Sequence, residues 1–200
     1  NGAPKPNLFK KLARYQKVNH FPNSFGITKK DSLVKNISRM QHQHGLTQFS
    51  FIPQTYLLPE EYSDLVKQME KNPSHWIIKP ASSSQGKGIK VIDMITSIPT
   101  GSNYIASRYI DDPLLIDGLK FDLRIYVAVT SVNPLRIYVY EDGLVRFATR
   151  KYNLNEEGPK SRYMHLTNYS VNKKNTKFVH TDEIDQDGTG SKWSLRALRK

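Results

Sequence analysis

The chain has 200 residues, 38% of them hydrophobic and 24% charged, which excludes wholesale disorder and allows one ordinary domain or two small ones. Cysteine is absent, so disulfides and cysteine-ligated zinc are ruled out and a reducing compartment fits. Lys and Arg number 30 against 18 Asp and Glu, a formal +12 that points to an acidic partner: nucleic acid, an anionic membrane surface, a nucleotide or an acidic protein tail. Lysines kept only to solvate the surface give the same count.

Residues 1–20 begin polar, basic and Pro-rich and read as a lead-in, not a folded element. A helix is expected from about Asp31, with Leu33, Val34, Ile37 and Met40 at helical spacing and Gly45 as its stop. His42 and His44 are two apart and do not face each other on a helix, so a solvated helix end explains them better than a metal site. The run FSFIP predicts a short strand closed by Pro53. LLPEEYSDLVKQMEKNP predicts a second helix, with Pro59 and two glutamates in its first turn and Tyr62, Leu65, Val66 and Met69 inward. WIIKP, ASSSQGKG and IKVID follow as strand, small-residue loop and strand, and NYIASRYI as another strand.

Residues 121–130 carry the strongest strand signal. Phe121, Leu123, Ile125, Val127 and Val129 alternate with Asp122, Arg124, Tyr126, Ala128 and Thr130, which predicts one buried apolar face. LRIYVYEDGLVRFA predicts a hairpin turning at Asp142-Gly143, with Arg146 between Leu144 and Ala148 on one side. Beyond Tyr152 the chain becomes polar, then acidic in TDEIDQDGTG, and SKWSLRALRK predicts a basic helix. No stretch approaches the roughly 18 apolar residues of a membrane helix and no secretory leader precedes the first helix, so a soluble protein is expected.

Three segments carry candidate chemistry. In ASSSQGKG, Gly86 and Gly88 permit a tight path for amides around an anion, with Lys79 and Lys87 to neutralise it. The P-loop pattern is missing, and a serine-rich turn between strands explains the loop equally well. In KFDLR, the charges of Lys120, Asp122 and Arg124 form either a pair on a solvated sheet face or the wall of a nucleotide pocket. MHLTNYSVNK crowds His165, Thr167, Asn168, Tyr169, Ser170 and Asn172 together, as an ordered polar loop or as a ligand-holding one. Arg136, Arg146 and Lys192 are candidate carboxylate or phosphate contacts. No GxSxG element supports a serine nucleophile.

In order, WIIKP, SSSQGKGI, SRYIDDPLLIDGLKFDLRIYV, DGLVRFA and HLTNYSVNK resemble successive motifs of the tubulin tyrosine ligase-like family, over nearly the whole chain. The resemblance implies an α+β ATP-grasp fold, incomplete at its C-terminal end. It divides the chain into a lead-in at 1–20, an N-terminal and central lobe with the phosphate loop at 21–110, and the start of a C-terminal lobe at 111–200. By position, Lys79 matches a lysine on the ATP phosphates, and Gln85 and Gly86 the loop over them. Ser107, Arg108, Tyr109 and Ile110 match an adenine-holding hinge acting largely through backbone. Lys120, Phe121 and Asp122, then Thr167 and Asn168, complete the implied pocket. Arg146, Tyr169, Ser170 and Lys192 match positions that hold free glutamate in glutamate-adding members, two cations suiting a dicarboxylate.

HLTNYSVNKK resembles the polyglutamylase branch. Gln85 stands where some members have Arg and is expected to favour elongation of a glutamate chain, although its surroundings look more like the Arg-bearing members. The implied reaction joins glutamate to glutamate side chains of tubulin C-terminal tails, or of another Glu-rich protein, through an acyl phosphate. Lys79 and Lys120 would offset phosphate charge, and Arg124 would steady the acyl phosphate; Arg124 and Lys120 are thus the candidate catalytic residues. The implied Mg2+ ligands are expected beyond Lys200, none within the segment, and the segment alone is expected to be inactive. A monomer is expected, at cytoplasmic microtubules, including cilia or centrosomes, meeting neither nucleic acid nor membrane. The rivals are a basic nucleic-acid-binding module and a non-catalytic microtubule-binding relative.

Overall fold

The computed structural model describes residues 6–101, 103–154, 161–181 and 187–200. A short helix, α1 (Pro6–Lys10), stands inside the segment expected to be an unfolded lead-in. After α2 (Phe25–Thr28) comes α3 (Lys30–His44), which ends at Gly45 as its sequence predicts; Gly45 has φ 87°, open to a residue without Cβ. Val34 and Ile37 are its buried residues.

FSFIP does not form the expected strand. Phe49 closes α4 (Leu46–Phe49), and the strand β1 (Thr55–Leu58) starts only after Pro53. Leu57 and Leu58, expected in a helix, belong to that strand, and Pro59 and Glu60 lie before α5 (Tyr62–Lys71). Glu61 is the N-cap of α5, and its carboxylate accepts from the Leu57 amide at 2.6 Å. Leu65 and Met69 are buried as predicted, whereas Tyr62 is exposed.

β2 (Trp76–Pro80), β3 (Lys90–Ile92) and β4 (Tyr104–Arg108) join β1 in an antiparallel sheet of order β1-β4-β2-β3. Because neighbours along a strand alternate faces, Leu58 and Ala106 meet α5 while Leu57 and Ile105 meet α3. Trp76, Ile78, Ile92, Ile98, Leu65 and Met69 complete the first cluster, and Val34 completes the second. Lys79 pairs with Ile105, so it lies on the α3 face.

The second sheet is also antiparallel: β5 (Leu115–Ile116), β6 (Leu119–Val132), β7 (Leu135–Lys151) and β8 (Lys192–Ser194), in that order. The hairpin turn is not at Asp142-Gly143. β7 runs through both, and the chain reverses at Asn133-Pro134. Gly143 is opposite Ile125, where a Cβ would come within 2.5 Å of the Arg124 carbonyl; the glycine serves a close backbone approach.

The apolar face predicted for β6 is not covered. Leu123, Ile125, Val127 and Val129 are exposed, because the two strands run past the other described elements as an arm. Burial in β7 begins at Gly143, and Val145 and Phe147 are buried where β8 joins. The expected basic helix is partly strand: Lys192–Ser194 pair with β7, and only Leu195–Leu198 form α8. MHLTNYSVNK is not a weakly anchored loop. It takes in the end of α6 (Arg162–His165) and all of α7 (Tyr169–Asn172), seated by the buried Met164, Leu166 and Val171. The stretches 155–160 and 182–186, including most of the acidic run, lie outside the described residues.

Candidate functional site

The loop between β2 and β3 is built with its carbonyls engaged. Lys30 Nζ, at the start of α3, donates to Pro80 O at 3.2 Å and Ser83 O at 2.5 Å. The Lys87 amide donates to Ser84 O, and Ser83 Oγ to Lys87 O. From the other sheet's helices, Ser170 Oγ donates to Gln85 O at 2.9 Å and Arg162 Nη2 to Gly86 O at 3.2 Å. Among the described residues, the amides of Ser84, Gln85 and Gly86 have no acceptor. Gln85 and Gly86 both have positive φ, 60° and 74°. Consecutive amides presented with the carbonyls held elsewhere make a cradle for an anion.

A cavity of about 140 Å³ lies at this loop, lined by Lys30, Lys79, Ser83, Gln85, Gly86 and Asn168 among others. Burial lowers the pKa of Lys79, and the neighbouring Lys30 charge lowers it further. Lys120 is brought down to about 8, first by burial and then by Lys79, with Asp122 pulling the other way. Lys79 on β2 therefore feels both Lys30 from α3 and Lys120 from β6, repulsions that a nearby anion would relieve. Gly86 packs tightly against the second half of the chain: a Cβ there would meet Asn168 Oδ1 at 2.9 Å and Val171 Cγ2 at 3.0 Å.

The predicted hinge, Ser107 to Ile110, leaves β4 beside this region. Its Arg108 and Tyr109 amides already donate to Gln54 O and His75 O, and the Ser107 hydroxyl accepts from Thr55. Ile110 is 59% exposed. Thr167 precedes Asn168 between α6 and α7, and Phe121 stacks at 5.7 Å on Phe147.

In the second sheet, register aligns Asp122, Arg146 and Lys192 across β6, β7 and β8. Directly opposed residues share a face, so these charges form one row. Arg146 grips Asp122 with Nε at 3.0 Å and Nη2 at 2.5 Å, which raises the Arg146 pKa. Asp122 therefore pairs with Arg146, in place of the Asp122–Arg124 pair weighed from the sequence. Tyr169 is half-exposed and packs on Phe178 and His180, while Ser170 reaches the loop. Arg124 and Arg136 lie on the exposed arm.

A second cleft of about 530 Å³ adjoins the loop, lined by Lys87, Arg162, Lys173 and Lys174 together with Gln85 and Ser170. Among the described residues, no carboxylate lines it.

Sequence reasoning missed Lys30, Arg162 and the structural weight of Asn172. Lys30 had a cue: a cation in a helix's first turn opposes the helix dipole and needs another reason to be there. Arg162 gave none. Asn172 is fully buried, its Oδ1 accepting from Thr149 N and Oγ1 and its Nδ2 donating to Leu166 O. Among the described residues no group of three or more His, Cys, Asp or Glu is placed to hold a metal, and no helix is long and apolar enough to cross a membrane.

A model of the tubulin-tyrosine ligase family matches residues 9–200. Mouse and human tubulin polyglutamylase TTLL5 are each 49% identical over 194 residues, 97% of this chain and 15% of the relative. Mouse tubulin monoglutamylase TTLL4 is 48% identical over 192 residues, 95% of this chain and 16% of the relative. A probable beta-tubulin polyglutamylase of Tetrahymena thermophila is 41% identical over 202 residues, 99% of this chain and 17% of the relative. The chain thus spans about 15% of the length of the relatives it matches at 49% identity.

Proposed function

The chain belongs to the tubulin-tyrosine ligase family, and from that premise we propose that it forms the nucleotide and glutamate sites of an ATP-dependent protein glutamate ligase of the polyglutamylase type. The observation that carries this reading is the amide cradle at Gln85-Gly86 beside Lys79, with Lys120 from a separate strand close enough to Lys79 to feel its charge, as cations holding a triphosphate would be. The fold is read as ATP-grasp: residues 21–110 supply one lobe with the phosphate loop, and 111–200 supply part of the other.

ATP would supply the activation: its γ-phosphoryl would pass to an acceptor side-chain carboxylate with ADP leaving, and the amine of free glutamate would then displace phosphate from that acyl group to form the isopeptide bond. Lys79, Lys120 and the loop amides hold the phosphates, with Asn168 beside them and the 107–110 segment beside the adenine. Lys30 acts from behind the loop, through the Pro80 and Ser83 carbonyls. Arg146 and Lys192 orient the free dicarboxylic acid, and Asp122 pre-aligns Arg146 for it through their paired contacts. Arg124 is assigned to the acyl phosphate. No magnesium role is given to these residues.

The cleft lined by Lys87, Arg162, Lys173 and Lys174 suits a run of acceptor carboxylates, such as a tubulin tail or another Glu-rich segment, and Gln85 at its edge is read as favouring elongation. An enzyme of this kind works at microtubules. The test is incorporation of radiolabelled glutamate into tubulin by the full-length protein carrying this chain. Lys79→Ala is expected to reduce it at least a hundredfold, in line with loss of a charge-stabilising contact of about 3 kcal/mol. Equal incorporation by wild type and Lys79→Ala, or none by wild type with ATP present, contradicts the reading.

A further inference from the structure

Behind Lys120 stand two side chains for which the proposed function has so far needed no role. Tyr109 ends the first sheet's segment and is only 6% exposed; His165, in α6, is 4% exposed. Tyr109 Oη is 2.9 Å from Lys120 Nζ and 2.7 Å from His165 Nδ1. The ammonium also lies over the Tyr109 ring, 4.6 Å from its centroid. The imidazole is fixed edge-on to two rings, Tyr109 at 5.4 Å and Tyr152 at 6.0 Å. An ammonium only donates, so the phenol oxygen accepts from Lys120, and the phenol's own proton faces two partners, His165 Nδ1 and the Tyr152 hydroxyl, which also hydrogen-bonds Tyr109.

We infer that Tyr109 and His165 are positioning residues that act through Lys120, aiming its ammonium into the proposed phosphate site. The inference rests on the ATP-site reading above and adds the machinery that holds the lysine. Lys120 has four carbons of freedom and is repelled by Lys79, so without a partner it would swing toward solvent. The hydroxyl and the ring face of Tyr109 together hold it with one hydrogen bond and one cation–π contact. His165 in turn keeps the hydroxyl from rotating away. Tyr152, whose own hydroxyl donates to Asp111 O at 2.9 Å, closes the other side of Tyr109, and burial pushes the Tyr109 phenol well above the usual tyrosine range. Among the described residues, Lys79 and Asp122 are the charged groups facing Lys120, and His165, Asp111 and Tyr152 the titratable groups facing Tyr109.

The experiment has two arms, both on the full-length protein. In the first, with no nucleotide present, the rate of acylation of Lys120 is followed against pH by mass spectrometry. Tyr109→Phe keeps the ring and removes the hydroxyl; His165→Leu removes the partner of that hydroxyl. Each is expected to move the half-labelling pH of Lys120 down by about one unit, a tenfold loss of proton affinity. His165→Asn, which places a polar atom near the former Nδ1, is expected to recover most of the shift. In the second arm the same variants are expected to raise KM for ATP about tenfold, a factor of one hydrogen bond to a charge, while KM for glutamate stays put. Unchanged Lys120 labelling in Tyr109→Phe and His165→Leu overturns the inference, as does His165→Asn behaving like His165→Leu, which would mean packing alone. The first arm does not depend on ATP. If Lys120→Met binds ATP like the wild type, the ATP-site reading fails, while the first arm still shows whether Tyr109 and His165 hold the lysine.

Discussion

At the level of single residues, Lys120 and Gly86 set the demands of the proposed phosphate site. The Lys120 pKa in the folded chain is about 8, against an ordinary 10.5. A lysine depressed in this way leaves the unfolded chain holding more protons between those values, so its cost to folding is full below pH 8 and fades as pH rises toward 10.5. A bound phosphate prefers the ammonium. ATP affinity is therefore predicted to be level below about pH 8 and to fall above it, and a calorimetric titration from pH 7 to pH 9.5 would contradict the assignment if affinity stayed flat. Gly86 has φ 74° and no room for a Cβ beside Asn168. Gly86→Ala is predicted to cost about 1–3 kcal/mol in the loop and to weaken ATP more than tenfold, checked by nucleotide titration together with thermal melting. Glycine at this position was legible in the sequence as a tight path. The crowding by Asn168 and Val171 was not, because those residues lie more than eighty positions away and meet it only through tertiary packing.

Among the elements, periodicity served well where packing is local. Helix α3 and the cluster of Leu65 and Met69 on the first sheet follow from helical spacing, and Leu65→Ala is predicted to destabilise the protein by about 2–5 kcal/mol in a denaturant titration. It failed where a local turn signal met a long-range pairing. Asp142-Gly143 resembles a hairpin turn, yet β7 continues through it because Gly143 admits the Arg124 backbone, while Asn133-Pro134 makes the reversal. The HLTNYSVNK stretch looked like a polar loop because polar residues do the seating. Asn172 ties α7 to β7 through Thr149, and this pairing has no spacing signature. Replacing Asn172 by Leu leaves the buried Thr149 amide and the Leu166 carbonyl without this partner, and a loss of about 2–4 kcal/mol is predicted from urea unfolding, while a loss under 1 kcal/mol would show the contact to be dispensable.

For the molecule as a whole, the excess of positive charge turns out to be organised. Lys30 and Lys79 line the cavity at the loop with Lys120 near Lys79, and Lys87, Arg162, Lys173 and Lys174 line the neighbouring cleft. Their number and the family's motifs, which carried the proposed site residues together, were legible in the sequence; the side-chain partners that aim them emerge only when two sheets and three helices meet. Exposed cleft cations and partly enclosed phosphate cations should respond differently to salt. Raising ionic strength from 0.05 to 0.3 M is predicted to raise KM for an acidic acceptor peptide roughly threefold or more, with a smaller change in KM for ATP. The central claim is that lysines from separate strands converge on a triphosphate, and the direct measurement is the affinity of the full-length protein for ATP and for adenosine in wild type, Lys79→Met and Lys120→Met. The account predicts that each substitution weakens ATP at least tenfold, the factor of about 1.4 kcal/mol, and leaves adenosine unchanged. ATP binding that is indifferent to both lysines would contradict it.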